Sequence, residues 1–327
     1  MLVYAGIDEA GYGPLMGPLC VACSEWTVND ASDPADPPNL WRSLSQAVCT
    51  TGRDRRGRVA MADSKKLKGA SGGHHHPLCA LERGVLVALG IATRAGADPT
   101  LDSELFETLG ALGLDEHAPW YSGELALPVG NTPARIALGR AMLETACARR
   151  GVRATSLRCA AVDAKEINAA ASTGEAKSSV SWSLVMDHAR RVKRAHWDTP
   201  LRLAIDRQGG RIRYREDLMR EFDGARLTVL DESEQASLYR IEGLGADTVV
   251  SFSVEAEASH LPVALASMTA KYTRELWMRR LNRWFAGRVA GLAPTAGYVQ
   301  DGRRFVASVR DTLASSDLPE ALLVRAI

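Results

Sequence analysis

No stretch of this 327-residue sequence approaches the roughly 20 consecutive apolar residues that a membrane span requires. The N-terminus shows no basic segment leading into an apolar one. Both absences argue for a cytoplasmic protein. Net charge is scarce as well: 40 Lys and Arg stand against 39 Asp and Glu, so attraction to a polyanion must come from local basic clusters. Cysteine is sparse, and Cys20, Cys23, Cys49, Cys79, Cys147 and Cys159 follow no disulfide-framework spacing, which fits reduced intracellular thiols. Cys20 and Cys23 form a CxxC, but residues three apart on a strand face opposite ways and no second pair follows at zinc-finger spacing. They read as core residues. Apolar residues make up 46% of the chain, ample for a buried core, and the length suits one α/β domain over 1–327 with insertions.

What stands out is Leu2 to Leu19, LVYAGIDEAGYGPLMGPL. Alternating apolar residues suit a central strand, and two adjacent carboxylates, Asp8 and Glu9, precede a run of Gly and Pro. Neighbouring strand side chains point to opposite faces, so these two acids serve one site only if the strand bends or ends there. Gly11, Gly13 and Pro14 supply the break; a solvated acidic turn is the alternative reading. A third carboxylate, Asp206, closes the buried-strand pattern LRLAI and is followed by RQGGR. A charge at the C-terminal end of a buried strand is a usual place for chemistry in α/β folds, and turn capping is the alternative.

Other elements are read from period and punctuation. Strands are expected at Leu19–Trp26, Gly84–Thr93, Ala154–Asp163 and Thr248–Glu257, and helices at Leu40–Val48, Thr132–Arg150, Ser178–Arg194, Val263–Phe285 and Gly302–Leu313, with a further short helix after the last. Asp30–Arg58 reads as a connector ending in the basic run RDRRGR, and Asp63-Ser64 as a helix start. His74, His75 and His76 sit in a Gly-rich turn with no carboxylate or cysteine to complete a metal site. The acidic stretch 101–125 reads as an inserted helical subdomain or lid within about 78–130, and about 286–327 as a C-terminal helical segment. On the long helix, Ala264, Ala266, Ser267 and Ala270 suggest close packing on a sheet, while Lys271 and Glu275 taken alone would be an ordinary i,i+4 surface pair.

Several strings lie in register with one family. DEAGYGPLMGP resembles the N-terminal signature of the type 2 ribonucleases H, DEAGRGPLAGP; DSKKL at Asp63–Leu67 resembles a further segment of that family, KEIN at Lys165–Asn168 its INxxxA stretch, and ASMTAKYTRELWM its ASIxAKxTRDxxM helix. The strand ending in Asp206 and the pair Gly297-Tyr298 also have counterparts there. The resemblance implies a ribonuclease H-like α/β fold, a mixed central sheet flanked by helices, with an inserted helical region and C-terminal helices. It implies Asp8, Glu9, Asp206 and Glu275 as catalytic, metal-binding carboxylates. Four gathered carboxylates repel unless cations neutralise them, and oxygen ligands suit two Mg²⁺ or Mn²⁺ ions. The implied reaction is hydrolysis of the RNA strand of an RNA·DNA hybrid by a two-metal-ion mechanism, leaving 5′-phosphate and 3′-hydroxyl ends. Gly11, Tyr12 and Gly13 would meet the nucleic acid, Lys65, Lys66, Lys271 and Arg274 would bind phosphate or support the site, and Tyr298 would pack on a sugar.

The chain departs from the family pattern at Tyr12, where arginine is usual, and at Glu275, where aspartate is. Glu257 matches an acidic position upstream of the helix in some relatives. A monomer is expected. Two other readings are a hybrid-binding accessory protein without turnover and a nuclease of the same superfamily acting on DNA junctions.

Overall fold

The structure, a computed structural model, describes residues 1–68, 76–93 and 98–326. His74 and His75 lie outside the described residues. In chain order the first elements are β1 (Leu2–Ala10), β2 (Leu19–Val28), α1 (Leu40–Ser43), β3 (Val48–Cys49), β4 (Val59–Ala60), α2 (Ser64–Leu67), α3 (Cys79–Thr93), α4 (Asp102–Leu109) and α5 (Pro133–Arg150). There follow β5 (Val152–Val162), α6 (Ala164–Ser172), α7 (Lys177–Ala195), β6 (Leu201–Asp206), α8 (Arg215–Glu221), β7 (Arg226–Glu232) and β8 (Ala236–Glu242). The last are β9 (Thr248–Ser253), α9 (Ala256–Ser259), α10 (Leu261–Ala286) and α11 (Val299–Ser315).

Seven strands form one mixed sheet in the order β5-β2-β1-β6-β9-β8-β7. β1, β6 and β9 pair in parallel, while β2 runs antiparallel to both β1 and β5. The carboxyl ends of β5, β1, β6 and β9 therefore share one edge, the edge at which open α/β sheets place ligands.

Alternation along the strands divides the apolar residues between two cores. Tyr4, Cys20, Ala22 and Trp26 face α10 and α3. Val3, Ala5, Ile7, Val21 and Cys23 face the side covered by α7. Cys20 and Cys23 thus fall on opposite faces, both buried and unpaired. α10 crosses β1 in backbone contact: a Cβ at Gly6 would lie 2.1 Å from the Val263 nitrogen, so only glycine fits.

Caps appear where the sequence placed them. Thr132 accepts from Arg135 N at the start of α5, Gly151 closes that helix in the left-handed region, and Asp63 accepts from Lys65 N at the start of α2.

Several expectations need correction. Gly84–Thr93 is not a strand but most of α3, a 15-residue helix almost wholly buried at its centre. An apolar run without polar interruption fits a buried helix as well as a strand, and only its length tells them apart. The helix at Leu40 stops at Ser43, and Val48–Cys49 instead pairs with Val59–Ala60. β9 ends at Ser253, and Ala256–Ser259 is a helical turn. The hairpin β7–β8 was not anticipated. The stretch 101–125 is no lid: Leu105, Phe106, Trp120 and Tyr121 are buried in the core beneath α10, and buried Asp102 pairs with Arg280 at 2.6 Å. Among the described residues no helix is long and apolar enough to cross a membrane.

Candidate active site

β1 keeps its ladder with β2 as far as Ala10↔Cys20, but its pairing with β6 stops at Ile7↔Ile205. Beyond Ile7 the two strands part, and the gap between them lets both Asp8 and Glu9 line one cavity of about 230 Å³. The condition set by strand geometry is met by this divergence rather than by a turn. Asp206 reaches the same cavity from the last residue of β6, and Glu257 from α9. The chain enters α9 through Glu255, whose φ of 49° is a left-handed conformation that non-glycine residues rarely adopt. Strain of this kind is usual beside functional sites.

The hydrogen bonds to these acids leave oxygens over. Asp8 accepts from the Glu9 amide at 2.7 Å and from the Ser267 hydroxyl, Asp206 accepts from the Ala256 amide at 3.0 Å, and Glu9 accepts from Gln208 at 3.0 Å. Among the described residues none of Asp8, Glu9, Asp206 and Glu257 has a lysine or arginine within ion-pair distance. Burial, then the charges of Asp206 and Glu9, push the Asp8 carboxyl well above its ordinary value. Burial, with Glu257 and Glu9 adding to it, pushes Asp206 up to about 7. Burial raises Glu9 as well, against the pull of Gln208. These are crowded, desolvated acids whose charge Lys65 at the cavity wall offsets only in part, the state that a divalent cation would relieve.

Glu275 is not brought into this group, which corrects its assignment as the fourth carboxylate. Its oxygen sits 2.6 Å from Lys68 Nζ and 3.1 Å from Lys271 Nζ, and it does not line the cavity. Burial would raise its carboxyl, but the Lys68 hydrogen bond and the charges of both lysines outweigh this and hold it below the usual value. The geometric reason is helix rise: Ser267 is the α10 residue that meets Asp8, and Glu275 lies eight residues further on, about 12 Å along the axis.

The remaining expected residues divide. Gly11, Tyr12, Gly13, Lys65, Lys271 and Tyr298 all line the cavity. Tyr298 is 54% exposed at its mouth, and the Tyr12 ring lies under Lys177 Nζ at 4.7 Å. Lys66 does not reach the cavity; its side chain is largely exposed and 3.7 Å from Asp63. Arg274 is buried and donates to the carbonyls of Met16 at 3.1 Å and Ala296 at 3.0 Å. That fixes the turn from within, so Arg274 is not placed to touch phosphate. Gly11 has φ 93°, and a Cβ there would strike the Pro18 carbonyl at 2.5 Å and the Arg274 side chain.

Some contributors were not anticipated. Gln208 holds Glu9, and Arg325 donates to the carbonyls of Gly11, Pro14 and Gly17. The exit sequence RQGGR hinted at the first; nothing local marks Arg325, because its partners lie more than 300 positions away.

No family model matches the chain, and no curated protein matches it. Solved structures do. RNase HII from Archaeoglobus fulgidus, in its complex with PCNA, aligns at 16% identity over 99% of this chain and 93% of that one, with TM-score 0.41. Ribonuclease H2 from Pyrococcus horikoshii OT3 aligns at 13% over 98% and 92%, with TM-score 0.39. Bst-RNase HIII in complex with Mn²⁺ aligns at 14% over 99% of this chain and 66% of that one, with TM-score 0.43. By its sheet order and flanking helices the chain has a mixed α/β fold, and it is similar over nearly its whole length to these RNase HII and HIII structures.

Proposed function

We propose that this protein is a metal-dependent endonuclease that hydrolyses the RNA strand of RNA·DNA hybrids, with Asp8, Glu9, Asp206 and Glu257 as its metal-binding carboxylates. The observation that carries the reading is the cluster itself: four acids from two strands and one short helix around one cavity, with no basic side chain paired to them among the described residues. An all-oxygen donor set suits Mg²⁺ or Mn²⁺. Bound there, such ions would supply an activated water and stabilise the leaving oxygen of an in-line displacement at phosphorus.

The chain's own residues have separable tasks. The Ala256 amide and the Ser267 hydroxyl hold Asp206 and Asp8 in fixed rotamers, and the Gln208 amide does so for Glu9. Lys65 and Lys271 at the cavity wall supply positive charge for phosphate, which positions nucleic acid without reading bases. The Gly11–Gly13 backbone and the rings of Tyr12 and Tyr298 form the exposed lip, where a ribose 2′-hydroxyl would be met. Residues 1–327 act as one domain in this reading, with 78–130 an insertion that supports α10 from behind.

The test is cleavage of a labelled RNA·DNA hybrid, a duplex with one embedded ribonucleotide, and junction DNA, each with Mg²⁺ and with Mn²⁺. Metal-dependent cuts on the RNA strand, with 5′-phosphate ends, are expected. Binding of hybrid without cleavage would point to an accessory protein, and cleavage confined to junction DNA to a different nuclease.

A further inference from the structure

The described residues contain a second group of metal-ligating side chains, separate from the carboxylate cluster. His117, Asp163 and Glu166 each bring one ligand atom within 4.8 Å of the others. His117 follows the one-turn 3₁₀ segment Leu114–Glu116, while Asp163 and Glu166 sit at the start of α6, just past the end of β5. β5 is two strands from β1, roughly 10 Å at ordinary strand spacing, so this group and the carboxylate cluster lie on the same edge of the sheet without sharing a residue.

Helix capping accounts for only half of the two acids. Asp163 Oδ1 accepts from the Lys165 amide at 2.8 Å, and Glu166 Oε2 accepts from the Asp163 amide at 3.0 Å. Asp163 is nonetheless 1% exposed with Oδ2 lacking any hydrogen-bond partner, and the buried Nε2 of His117 lacks one too. Unpartnered buried acceptors are costly and uncommon. A protonated imidazole does not repair this, because Nε2 stands 3.5 Å from Glu166 Oε1 and 4.0 Å from Asp163 Oδ1, close enough for attraction and too far for bonding. Nor does the nearest buried cation: Arg325 acts on Asp163 from a distance but spends its donors on the carbonyls of Gly11, Pro14 and Gly17. Three converging ligand groups, in which one buried carboxylate oxygen and the imidazole Nε2 have no hydrogen-bond partner, want a shared positive centre.

We propose that His117, Asp163 and Glu166 bind a first-row divalent metal ion, Zn²⁺ or Mn²⁺, in a structural site. One imidazole and two carboxylates form a donor set of intermediate softness, suited to these ions rather than to Mg²⁺ or Ca²⁺, and Glu166, the most exposed of the three, leaves room for water to complete the shell. The ion would pin the 98–130 segment to α6. Through Asn168 of α6, which donates to the carbonyls of Ala321 and Val324 at 2.8 Å, that pin extends to the segment carrying Arg325.

The experiment uses the full chain carrying Asp8→Asn and Asp206→Asn, so that ions held by the carboxylate cluster are removed from the count. Co²⁺ is titrated by its visible absorption, and Zn²⁺ and Mn²⁺ by calorimetry. One equivalent is expected to remain, accompanied by a higher melting temperature. Adding His117→Ala should weaken it roughly 10–100-fold and abolish the melting shift. Glu166→Gln, a change at a half-exposed position that leaves the core untouched, should weaken it in the same direction and guards against a folding defect in the His117 variant. The proposal fails if the Asp8/Asp206 variant binds no ion up to millimolar concentration, or if neither His117→Ala nor Glu166→Gln alters the binding. Hybrid cleavage is not the readout, so this outcome stands apart from the success or failure of the nuclease reading.

Discussion

Glu257 and Glu275 are both acidic, both near the long helix and both candidates for one position, yet their surroundings differ. Glu275 is neutralised by two lysines, whereas Glu257 faces Asp206 and Glu9 across the cavity. Glu257→Gln should therefore lower kcat on a hybrid by roughly 100-fold or more and weaken Mn²⁺ binding, as loss of a metal ligand does. Glu275→Gln should stay within about tenfold of the parent and show its effect in melting temperature, because Lys68 and Lys271 lose their partner. Equal losses of turnover in both variants would return Glu275 to the site. The sequence carried both residues, and motif register favoured the one that helix rise places too far from Asp8. A pH effect belongs at this scale too. Glu25 is buried; burial pushes its carboxyl up, but His196 at 3.1 Å and Arg191 at 2.6 Å outweigh that and hold it down from 4.5 to about 2. A depressed carboxylate stabilises the fold above its unfolded value and loses that contribution as pH falls towards 2. Against Glu25→Gln, the parent should be about 2 kcal/mol more stable at pH 7, and denaturant titrations should see this difference shrink between about pH 4.5 and 2.

At the scale of elements, the site depends on how closely α10 lies on β1. Gly6 is the contact point, with Pro262 and Val263 backbone atoms filling the space of a Cβ, and Ser267 on the next turns reaches Asp8. Gly6→Ala must push the helix outward; a cost of about 3 kcal/mol is expected, together with a fall in kcat larger than any change in KM for hybrid. Stability and kcat unchanged in that variant would mean that the helix has slack to give. The strands that carry the cluster were legible because their signals are local: alternation in β1 and an apolar run closed by an acid in β6. α3 was not, since a uniformly apolar run has no period to read, and the β7–β8 hairpin was not, since β7 is largely exposed and the hairpin gains its order from the pairing of β8 with β9.

Across the whole molecule, the cavity's lip is held from the far end of the chain. Arg325 is 2% exposed and has no carboxylate partner among the described residues; its guanidinium donates to Gly11 O at 2.6 Å, to Pro14 O at 3.3 Å and to Gly17 O, while its amide donates to Leu15 O at 3.0 Å. Arg274 braces the same turn at Met16. No pattern in the sequence announces such a clamp, because a planar fork meeting three carbonyls is a property of the folded turn and not of either segment. Removing the fork leaves buried carbonyls without donors, so Arg325→Met should cost about 3 kcal/mol and speed hydrogen exchange at the amides of residues 11–17 above the rest of β1 and β2. Lysine, with one compact charge, should restore little of this, whereas added guanidinium at low concentration should restore part of it in Arg325→Ala. Metal binding by the carboxylates should survive, since Asp8 and Glu9 are fixed by strand pairing upstream of the turn. Hybrid KM should rise more than kcat falls if the turn's role is to meet the sugar backbone. If exchange in residues 11–17 is unchanged while stability drops, Arg325 serves the core alone, and the lip is held by Arg274 and the proline-rich turn.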